Sequence, residues 1–430
     1  MPYKSNVSET LAMRILLSAF AFSPARGGEA AVGWNIANEL AKLHDVTVLC
    51  GDVRGSERTR LELEKHYGED GNQCSKTLHV KYVAPTRFIA FVERLHRIPG
   101  LWGFYYLAYN LWQRKAYRCA KELHAACPFD IAHQLNMIGY REPGYLWKLP
   151  IPFVWGPVGG GPNEPIAFHN MFSWSGCVKV FLRTMLNELQ KRFCFRARKA
   201  AMMAQKIWAV TDADYSMIND IWGGECEKMV ETGTVLREEG QVRKWDGASQ
   251  LRIVWSGIHT SRKALPILLY ALARLGQKDI HVDILGIGPE TCSWRSLAKS
   301  LGVDGLLTWH GQVSHDEALK VMASGHVFTF PSLKEGTPHV VLEALSLGLP
   351  VICHDACGMG NVVTKKCGFK MPLKDPETSI IGFADALNLI IRSPMLISEK
   401  STAALARAKE LTWAAKARLI SNAYEKVKGE

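Results

Sequence analysis

The sequence predicts an α/β protein of two domains, each built on a doubly wound parallel sheet. The first observation is a strand, a glycine-rich loop, a helix and a second strand near the N-terminus, in the segments RILLSAF (14–20), SPARGGEAAVG (23–33), WNIANELAKL (34–43) and DVTVLCG (45–51). Such a unit opens a parallel sheet. The second observation is the polar, glycine-containing stretch 231–250, after which strands and helices alternate again. A length of 430 residues accommodates two domains.

Short apolar segments predict the remaining elements. In the N-terminal half, FDIAHQLN (129–136) and IPFVWGPVGGG (151–161) are expected to be strands that run into loops. The C-terminal half predicts strands and helices in the order LRIVWSG (251–257), ALPILLYALARL (264–275), HVDILGIG (281–288), LLTWHG (306–311), HDEALKVMASG (315–325) and HVFTFPS (326–332). A further helix, the strand LPVICHD (349–355) and the amphipathic helix LTWAAKARLISNAYEKV (411–427) complete the pattern.

Composition and charge narrow the classes of partner. Apolar residues make up 47% of the chain and charged residues 22%, which is ordinary for a globular protein. The 52 Lys and Arg against 41 Asp and Glu give a net charge of +11, which favours phosphorylated small molecules, anionic membranes or nucleic acid. No recognised nucleic-acid-binding module appears, so nucleic acid is not expected. Eleven cysteines without paired spacing, and no preceding signal peptide, predict a reducing cytoplasm.

Two segments combine basic residues with apolar or aromatic ones. LWGFYYLAYNLW (101–112) is too short to span a membrane and has basic residues on both sides. It is typical either of a core helix with a basic exposed face or of a helix at a membrane surface. The basic segment 183–206 is likewise either a solvated helix face or a contact with anionic lipid or a phosphorylated acceptor.

Two glutamates stand in the otherwise apolar stretch SLKEGTPHVVLEALSLGLPVI (332–352). Glu335 lies in the loop after a predicted strand, and Thr337 is expected to cap the following helix, with Pro338 at its first position. Open α/β sheets bind ligands beyond the carboxyl ends of their strands, where free N–H groups favour a phosphate or a polar sugar. Glu343 lies inside the apolar helix, so it must be paired or accept hydrogen bonds. Hydroxyls of a ligand would satisfy it, and so would a neighbouring backbone group or lysine.

The segment EGTPHVVLEALSLGLPVI (335–352) closely resembles the E-x7-E signature of glycosyltransferase family 4, whose members are retaining enzymes of the GT-B fold. The preceding segments FPSLKEG (330–336), LTWHGQVSHDEALKVMASG (307–325) and HVDILGIGPE (281–290) resemble the same family, as does the opening of the chain from about Met13. The resemblance is more specific in the C-terminal half. It implies two Rossmann-like, doubly wound parallel-sheet domains that face each other across a cleft.

The resemblance also assigns roles to residues of the C-terminal domain. Glu335 would contact hydroxyls of the transferred sugar, and Glu343 would contact the ribose of the nucleotide. The other donor contacts that it implies come from Gly257, Gly286, Gly336, Thr337, Pro338 and His339.

The segment WSGIHTSRKAL (255–265) resembles the family's Gly-Arg-x-x-x-Arg-Lys sequence. This resemblance implies that Arg262 and Lys263 are the catalytic cations and that Lys263 contacts the diphosphate. A cation there offsets the negative charge that builds on the leaving group. Ile258 stands where the family has its first arginine, which leaves open a catalytically lapsed protein that only binds a nucleotide or glycan.

Two features of the N-terminal half resemble the family less specifically. Gly27 and Gly28 resemble its glycine-rich loop, where the backbone approaches the diphosphate, and a plain turn is the alternative. His133 aligns with a family histidine near the transferred sugar, which makes it a catalytic candidate, and a satisfied core histidine is the alternative. The segment GPVGGG (156–161) is expected to shape the acceptor side.

Metal and cofactor sites are not expected. Asp212 and Asp214 have the spacing that holds a metal in another glycosyltransferase fold, but helix capping explains them better. The segment CHDAC (353–357) lacks the second pair of ligands that a zinc site needs. The sequence contains neither the G-x-G-x-x-G of dinucleotide-binding proteins nor the G-x-S-x-G of hydrolases.

The predicted function is retaining transfer of a sugar from a nucleotide-diphosphate sugar, with UDP favoured and GDP next, to a hydroxyl of a glycan or lipid-linked acceptor in surface polysaccharide biosynthesis. Residues 1–235, joined by the helix 411–430, are expected to form the acceptor domain, and residues 236–410 the donor domain. The resemblance implies that the donor phosphate helps to deprotonate the acceptor. The expected location is the cytoplasm, with peripheral contact at the inner face of the membrane. The alternatives are a lapsed binding protein, a basic membrane-associated scaffold and a sugar-nucleotide epimerase.

Overall fold

The computed structural model describes residues 13–53, 58–67, 73–101, 103–171, 174–276 and 279–429. Contacts between residues divide the chain into two compact units. Unit 1 comprises Met1–Val158, Arg196–Trp208 and Ala417–Glu430, and unit 2 comprises Gly159–Phe195 and Ala209–Lys416. The end of the chain, from Ala417 onward, therefore groups with the N-terminal part. Residues 159–195 and 209–235 group with unit 2, whereas the sequence analysis assigned them to the acceptor domain. That assignment was based on the polar stretch 231–250, which resembles a linker. A linker does not show against which sheet the segments before it pack.

The secondary-structure elements follow the predicted alternation. The strands are β1 (Arg14–Ala19), β2 (Asp45–Cys50), β3 (Gln73–Ser75), β4 (Leu78–Tyr82), β5 (Ile131–Asn136), β6 (Phe153–Val158), β7 (Lys206–Ala209), β8 (Glu227–Lys228), β9 (Leu251–Ser256), β10 (Ile280–Leu285), β11 (Leu307–Gly311), β12 (Val327–Phe330), β13 (Val351–His354) and β14 (Gly368–Met371). The α-helices are α1 (Glu29–Leu40), α2 (Arg58–Tyr67), α3 (Arg87–Leu95), α4 (Phe104–Ala126), α5 (Trp174–Phe193), α6 (Phe195–Met203), α7 (Asp212–Ser216), α8 (Leu265–Leu275), α9 (Thr291–Ser300), α10 (His315–Ala323), α11 (His339–Ser346), α12 (Cys357–Val362), α13 (Pro376–Arg392), α14 (Met395–Glu410) and α15 (Trp413–Gly429).

The sheet of unit 1 is doubly wound. Hydrogen bonding gives the order β3-β4-β2-β1-β5-β6-β7. Strand β1 is parallel to both β2 and β5, whereas β3 is antiparallel to β4. The chain moves outward from β1 on one side and then crosses to β5 on the other, which places a topological switch between β1 and β5. Ile15, Leu16 and Leu17 are fully buried, as expected for a parallel strand that is covered on both faces.

The sheet of unit 2 repeats this plan. Its order is β11-β10-β9-β12-β13-β14, and its paired strands are parallel. The switch lies between β9 and β12. Ile253, Trp255, Leu268 and Val282 lie in the hydrophobic core that covers this sheet. The loops that leave the carboxyl ends of β9 and β12 therefore flank the point where open α/β sheets bind ligands.

Helix α1 packs unusually close to the sheet of unit 1, which the sequence analysis did not predict. A Cβ atom added at Gly33 would lie 2.4 Å from the carbonyl oxygen of Ala21 and 2.9 Å from Nδ2 of Asn136. Only glycine therefore fits at this helical position. Helix α1 begins directly after Gly28, whose φ of 65° lies in the left-handed region that glycine adopts readily.

Residues 104–112 of the aromatic segment form the beginning of α4, and Trp102 lies outside the described residues. Ala108, Tyr109 and Trp112 are buried, whereas Tyr106 and Leu107 are about half exposed, so the segment is mainly a core helix. Among the described residues, no single helix is long and apolar enough to cross a membrane. The pair α13 and α14, bent by 110°, meets those criteria only when its two helices are taken together.

Candidate functional site

Two loops of unit 2 are bonded to each other at the carboxyl edge of its sheet. The first loop follows β9 and carries Arg262 and Lys263, and the second follows β12 and carries Glu335. The backbone N–H of Leu333 donates to the carbonyl oxygen of Arg262 at 2.8 Å, and the Ser332 hydroxyl oxygen lies 3.1 Å from the same carbonyl oxygen. These bonds bring together three residues that the sequence analysis had predicted separately.

The carboxylate of Glu335 is the centre of this cluster. Its Oε1 atom accepts hydrogen bonds from Nη1 of Arg262 at 2.7 Å, from Nζ of Lys263 at 2.7 Å and from the Ser332 hydroxyl at 2.6 Å. The side chain is only 9% exposed. Burial alone would raise the pKa of Glu335, but the charges of Lys263 and Arg262 and these hydrogen bonds hold it below the ordinary value. Glu335 is therefore an anion held by two cations, and its Oε2 atom receives none of the three bonds.

Lys263 is a buried cation whose ammonium group lies beside the Glu335 carboxylate. Its side chain is 10% exposed, and its Nζ atom also lies 4.6 Å from the ring centroid of Phe330. Burial lowers the pKa of Lys263, and the Glu335 carboxylate offsets this only in part. Arg262 is 40% exposed, so it presents its charge partly to solvent. The cluster thus offers one buried and one accessible positive charge at a position suited to a phosphate.

Glu343 lies on α11 with its side chain 21% exposed. In the part of the chain that the structure describes, its carboxylate has one ion-pair partner, Nε2 of the exposed His315 at 3.6 Å. Burial raises the pKa of Glu343, against the opposing charges of His315 and Arg237. Among the residues that the structure describes, neither a lysine nor a backbone N–H bonds this carboxylate, which leaves it able to accept hydrogen bonds from ligand hydroxyls.

The loop before α11 differs from the prediction. Helix α11 begins at His339, with Pro338 at the N-cap and without a side-chain cap, so the predicted capping role of Thr337 is wrong. The Thr337 hydroxyl instead accepts from the N–H of Glu231 at 3.3 Å, and the Thr337 N–H donates to Oε1 of Glu231 at 3.0 Å. Proline supplies no N–H at the helix start. A segment distant in sequence therefore holds this turn.

His339, the first residue of α11, is held by that same distant segment. Nδ1 of its ring lies 3.0 Å from the Thr232 hydroxyl. Burial lowers the pKa of His339, so the ring is neutral near pH 7.

Gly336 is fixed by a close backbone contact with α12. A Cβ atom added at Gly358 would lie 1.6 Å from the carbonyl oxygen of Gly336 and 3.0 Å from Cα of Thr337. The loop that carries Glu335 can take this path only because residue 358 has no side chain.

Replacing Gly358 with alanine is expected to lower the free energy of unfolding by about 2 kcal/mol, because the backbone of the Gly336 loop must move to make room. Chemical unfolding of the full chain measures this. Gly305→Ala is the matched control: a Cβ atom there meets nothing within 4 Å, and a change below about 0.5 kcal/mol is expected. Equal stability of the two variants would contradict the close contact.

Gly257 and Gly286 bring the loops after β9 and β10 together. Gly286 has a φ of 109°, and a Cβ atom there would lie 2.1 Å from the carbonyl oxygen of Gly257. The N–H of Gly257 donates to the carbonyl oxygen of Leu285 at 3.1 Å. Both glycines therefore shape the rim of the candidate site, and their predicted contact with a donor stays a prediction.

The loop after β9 also contains buried polar groups that the sequence analysis missed. His259 is 1% exposed, and its Nδ1 atom lies 2.9 Å from the Thr291 hydroxyl. Burial, together with the charge of Arg295, lowers the pKa of His259 to about 4. Within the described residues, Nε2 of His259 and the Thr260 hydroxyl have no hydrogen-bond partner. The sequence IHTSRK did contain this signal, as polar residues between a strand and Arg262. Ile258 is 62% exposed beside them.

His133 is a buried core histidine in this structure, and its catalytic role stays a prediction. The side chain is fully buried in unit 1. Its Nδ1 lies 2.5 Å from the Tyr424 hydroxyl, and its Nε2 lies 2.8 Å from the carbonyl oxygen of Gly156, so both ring nitrogens are occupied. Burial lowers the pKa of His133 to about 4. The alternative of a satisfied core histidine is the one that the structure supports.

The glycine loop of unit 1 leads to a carboxylate that the sequence analysis did not select. Gly27 and Gly28 are exposed, and a Cβ atom at either would meet nothing within 4 Å. Glu29 follows at the first position of α1. Burial raises the pKa of Glu29 to about 7, although a hydrogen bond from the N–H of Ile138 opposes this. A carboxylate directly after two glycines was the signal for it.

Asp214 caps a helix, as predicted. The Thr211 hydroxyl accepts from the N–H of Asp214, and Oδ2 of Asp214 accepts from the N–H of Thr211 at 3.1 Å. Its Oδ1 atom accepts from the N–H of Gly161 at 2.7 Å, which ties it to the segment GPVGGG. Burial raises the pKa of Asp214 to about 6 despite these bonds. Among the described residues, no group of three or more His, Cys, Asp or Glu could hold a metal ion.

Comparisons with known proteins show that part of the second unit is similar to glycosyltransferases. Residues 250–392 match the family model "Glycosyl transferases group 1". Over 176 residues the chain is 26% identical to the putative colanic acid biosynthesis glycosyltransferase WcaL of Escherichia coli, a match that covers 37% of this chain and 43% of WcaL. The chain thus spans less than half the length of that curated relative. The predicted resemblance to glycosyltransferases is confirmed, and family 4 is compatible with it.

Solved structures resemble nearly the whole chain. The lipopolysaccharide outer core galactosyltransferase WaaB superposes with a TM-score of 0.65 at 15% identity, covering 96% of this chain and 99% of WaaB. HepE of Anabaena, in complex with UDP, superposes with a TM-score of 0.59 at 14% identity, covering 96% and 100%. At such identities the likeness shows the fold alone. The predicted class of two parallel-sheet α/β units of the GT-B type is confirmed.

Proposed function

We propose that this protein is a retaining glycosyltransferase that moves a sugar from a nucleotide-diphosphate sugar to a hydroxyl of a glycan or lipid-linked acceptor. The observation that carries the proposal is the cluster of Lys263, Arg262 and Glu335 at the switch point of unit 2. The match of residues 250–392 to a glycosyltransferase family supports it. The relatives named for colanic acid and lipopolysaccharide support a role in surface polysaccharide biosynthesis.

The cluster suits a reaction in which a diphosphate leaves. Negative charge grows on the leaving group as the glycosidic bond breaks, and the cations Lys263 and Arg262 stabilise it. Because Glu335 fixes both cations in place beforehand, little reorganisation is needed during the reaction. Its Oε2 atom accepts a hydrogen bond from a hydroxyl of the transferred sugar. The reaction needs no protein base if the donor phosphate takes the proton of the acceptor hydroxyl.

Glu343 binds the nucleotide in this proposal by accepting hydrogen bonds from the ribose hydroxyls. UDP is the favoured nucleotide, since a structure of similar fold is a complex with UDP, and GDP is next.

Calorimetric titration with UDP, GDP, dTDP, ADP and CMP tests this assignment. We expect one nucleoside diphosphate to bind the wild type, and Glu343→Ala to weaken its binding roughly 10- to 100-fold through the loss of charged hydrogen bonds. Glu377→Ala, which removes a mostly exposed carboxylate of the same unit, is the control and is expected to bind normally. A folded wild type that binds no nucleotide would refute the donor site.

A second candidate function, binding without turnover, is favoured by Ile258. An exposed apolar side chain stands where the family has an arginine, so the cluster has one cation fewer. A turnover assay distinguishes the two candidate functions. Its substrate is the nucleotide sugar that carries the nucleotide found to bind. A transferase releases nucleoside diphosphate when acceptor is added, whereas a lapsed protein binds the donor and releases none.

A further inference from the structure

Helix α5 exposes its apolar face. Seven apolar side chains recur every three or four residues, which places them on one face covering roughly 140° of the helix circumference at ~100° per residue. Each is between 40% and 63% exposed: Val178, Phe181, Leu182, Met185, Leu186, Leu189 and Phe193. We refer to these seven residues as the α5 apolar face. Soluble monomeric proteins rarely expose a contiguous apolar surface of this kind unless it binds something.

The opposite, polar face of α5 points into unit 2. Nδ2 of the buried Asn187 donates to the carbonyl oxygen of Gly161 at 3.1 Å and to Oδ1 of Asn163 at 2.8 Å. Lys191 is buried, and its Nζ atom lies 2.5 Å from Oε1 of Glu188. Nε1 of Trp222 donates to the backbone oxygen of Lys191 at 2.8 Å. These bonds fix the rotation of the helix, so the α5 apolar face cannot turn inward without breaking them.

The charges around the helix indicate what covers the face. Within α5 the sequence has four basic residues and one acidic residue. Of the basic residues, Lys191 is buried and paired with that acidic residue, Glu188. Arg183 and Arg192, on α5 itself, are exposed. An apolar face with basic neighbours is typical of helices that lie in the interface of an anionic bilayer. The core of an interface between protein copies is instead depleted of lysine.

We propose that α5 is a membrane-surface helix, which inserts its apolar face among the headgroups of an anionic lipid bilayer while its arginines contact the lipid phosphates. Five charged residues in a helix of 20 make it a helix that lies on a membrane rather than one that crosses it. This inference goes beyond the proposed reaction and does not depend on it, since the residues of α5 are not part of the donor site.

Sedimentation of the full-length protein with lipid vesicles, without any substrate, tests the proposal. The vesicles contain either phosphatidylcholine alone or phosphatidylcholine with phosphatidylglycerol. We expect the wild type to sediment with the anionic vesicles and to be released by high salt. The double variant Phe181→Asp/Leu186→Asp is expected to bind them at least roughly tenfold more weakly. Arg192→Gln is expected to weaken binding by about fivefold.

The matched control places the same two aspartates on other exposed apolar positions of unit 2. Leu389→Asp/Met395→Asp changes side chains that are 48% and 73% exposed, and is expected to bind vesicles as the wild type does. Unchanged thermal unfolding shows that each variant is folded. The proposal is wrong if the wild type does not bind anionic vesicles. It is also wrong if the α5 double variant and the control double variant bind these vesicles equally. A wild-type dimer that vesicles do not disrupt, and that the α5 variant converts to a monomer, would also overturn it.

Discussion

Replacing Glu335 with alanine is expected to lower the free energy of unfolding by about 3–5 kcal/mol at pH 7, because it leaves the buried Lys263 without its counter-charge. The buried pair is joined at 2.7 Å, and both side chains are about 10% exposed or less. Urea unfolding of the full chain measures the loss. Glu377→Ala, at a carboxylate that is 70% exposed, is expected to change stability by less than about 0.5 kcal/mol.

The pH dependence of this loss has a definite sign. The folded-state pKa of Glu335 lies below its ordinary value of 4.5, so its stabilising effect is complete above that value and is lost as the pH falls through the lower folded-state pKa. The difference between wild type and Glu335→Ala should therefore be largest near neutral pH and shrink in acid. The double variant Glu335→Leu/Lys263→Met removes both charges and should recover most of the stability without restoring sugar transfer. If Glu335→Ala were as stable as the wild type at pH 7, this account of the buried ion pair would be contradicted.

Lys263→Met is expected to reduce kcat for sugar transfer by roughly 10²- to 10³-fold, the size seen when one group that stabilises developing charge is removed. Methionine keeps most of the volume and the contact with Phe330 but not the charge. Release of nucleoside diphosphate in the presence of acceptor measures the effect, and calorimetry of nucleotide binding separates it from weaker donor affinity.

Lys370→Met is the matched control for this variant. Lys370 is also largely buried and pairs with Asp355 at 2.7 Å, but it lies on β14 at the far edge of the same sheet. Its removal is expected to affect stability and to leave kcat within about twofold. If the two variants lose activity equally, general destabilisation explains the effect and Lys263 has no special role in the reaction.

Much of the fold of each unit follows from local patterns. Alternating apolar segments and glycine-containing loops predict parallel sheets, and the strands found include the predicted ones. Sequence spacing could not show that Arg262 and Lys263 meet Glu335, more than 70 positions later, on one carboxylate oxygen. That depends on β9 and β12 being neighbours, which is a property of sheet order.

Partners remote in sequence decide the surroundings of two residues that the sequence analysis selected. His133 was selected because it aligns with a family histidine, but Tyr424, almost 300 residues away in sequence, occupies one of its ring nitrogens. Thr337 had the local sequence of a helix cap, but Glu231 competes for its hydroxyl. In each case the deciding partner is remote in sequence.

The bond between the N–H of Leu333 and the carbonyl oxygen of Arg262 has a consequence for how such a site can diversify. It joins two loops through main-chain atoms, which every residue except proline at position 333 can supply. Neighbouring side chains, such as those at positions 258 and 334, can therefore be exchanged over generations while the loops keep their spacing. A lineage with this frame can change the side chains that line the candidate site by single substitutions, without first passing through a protein that has lost the frame.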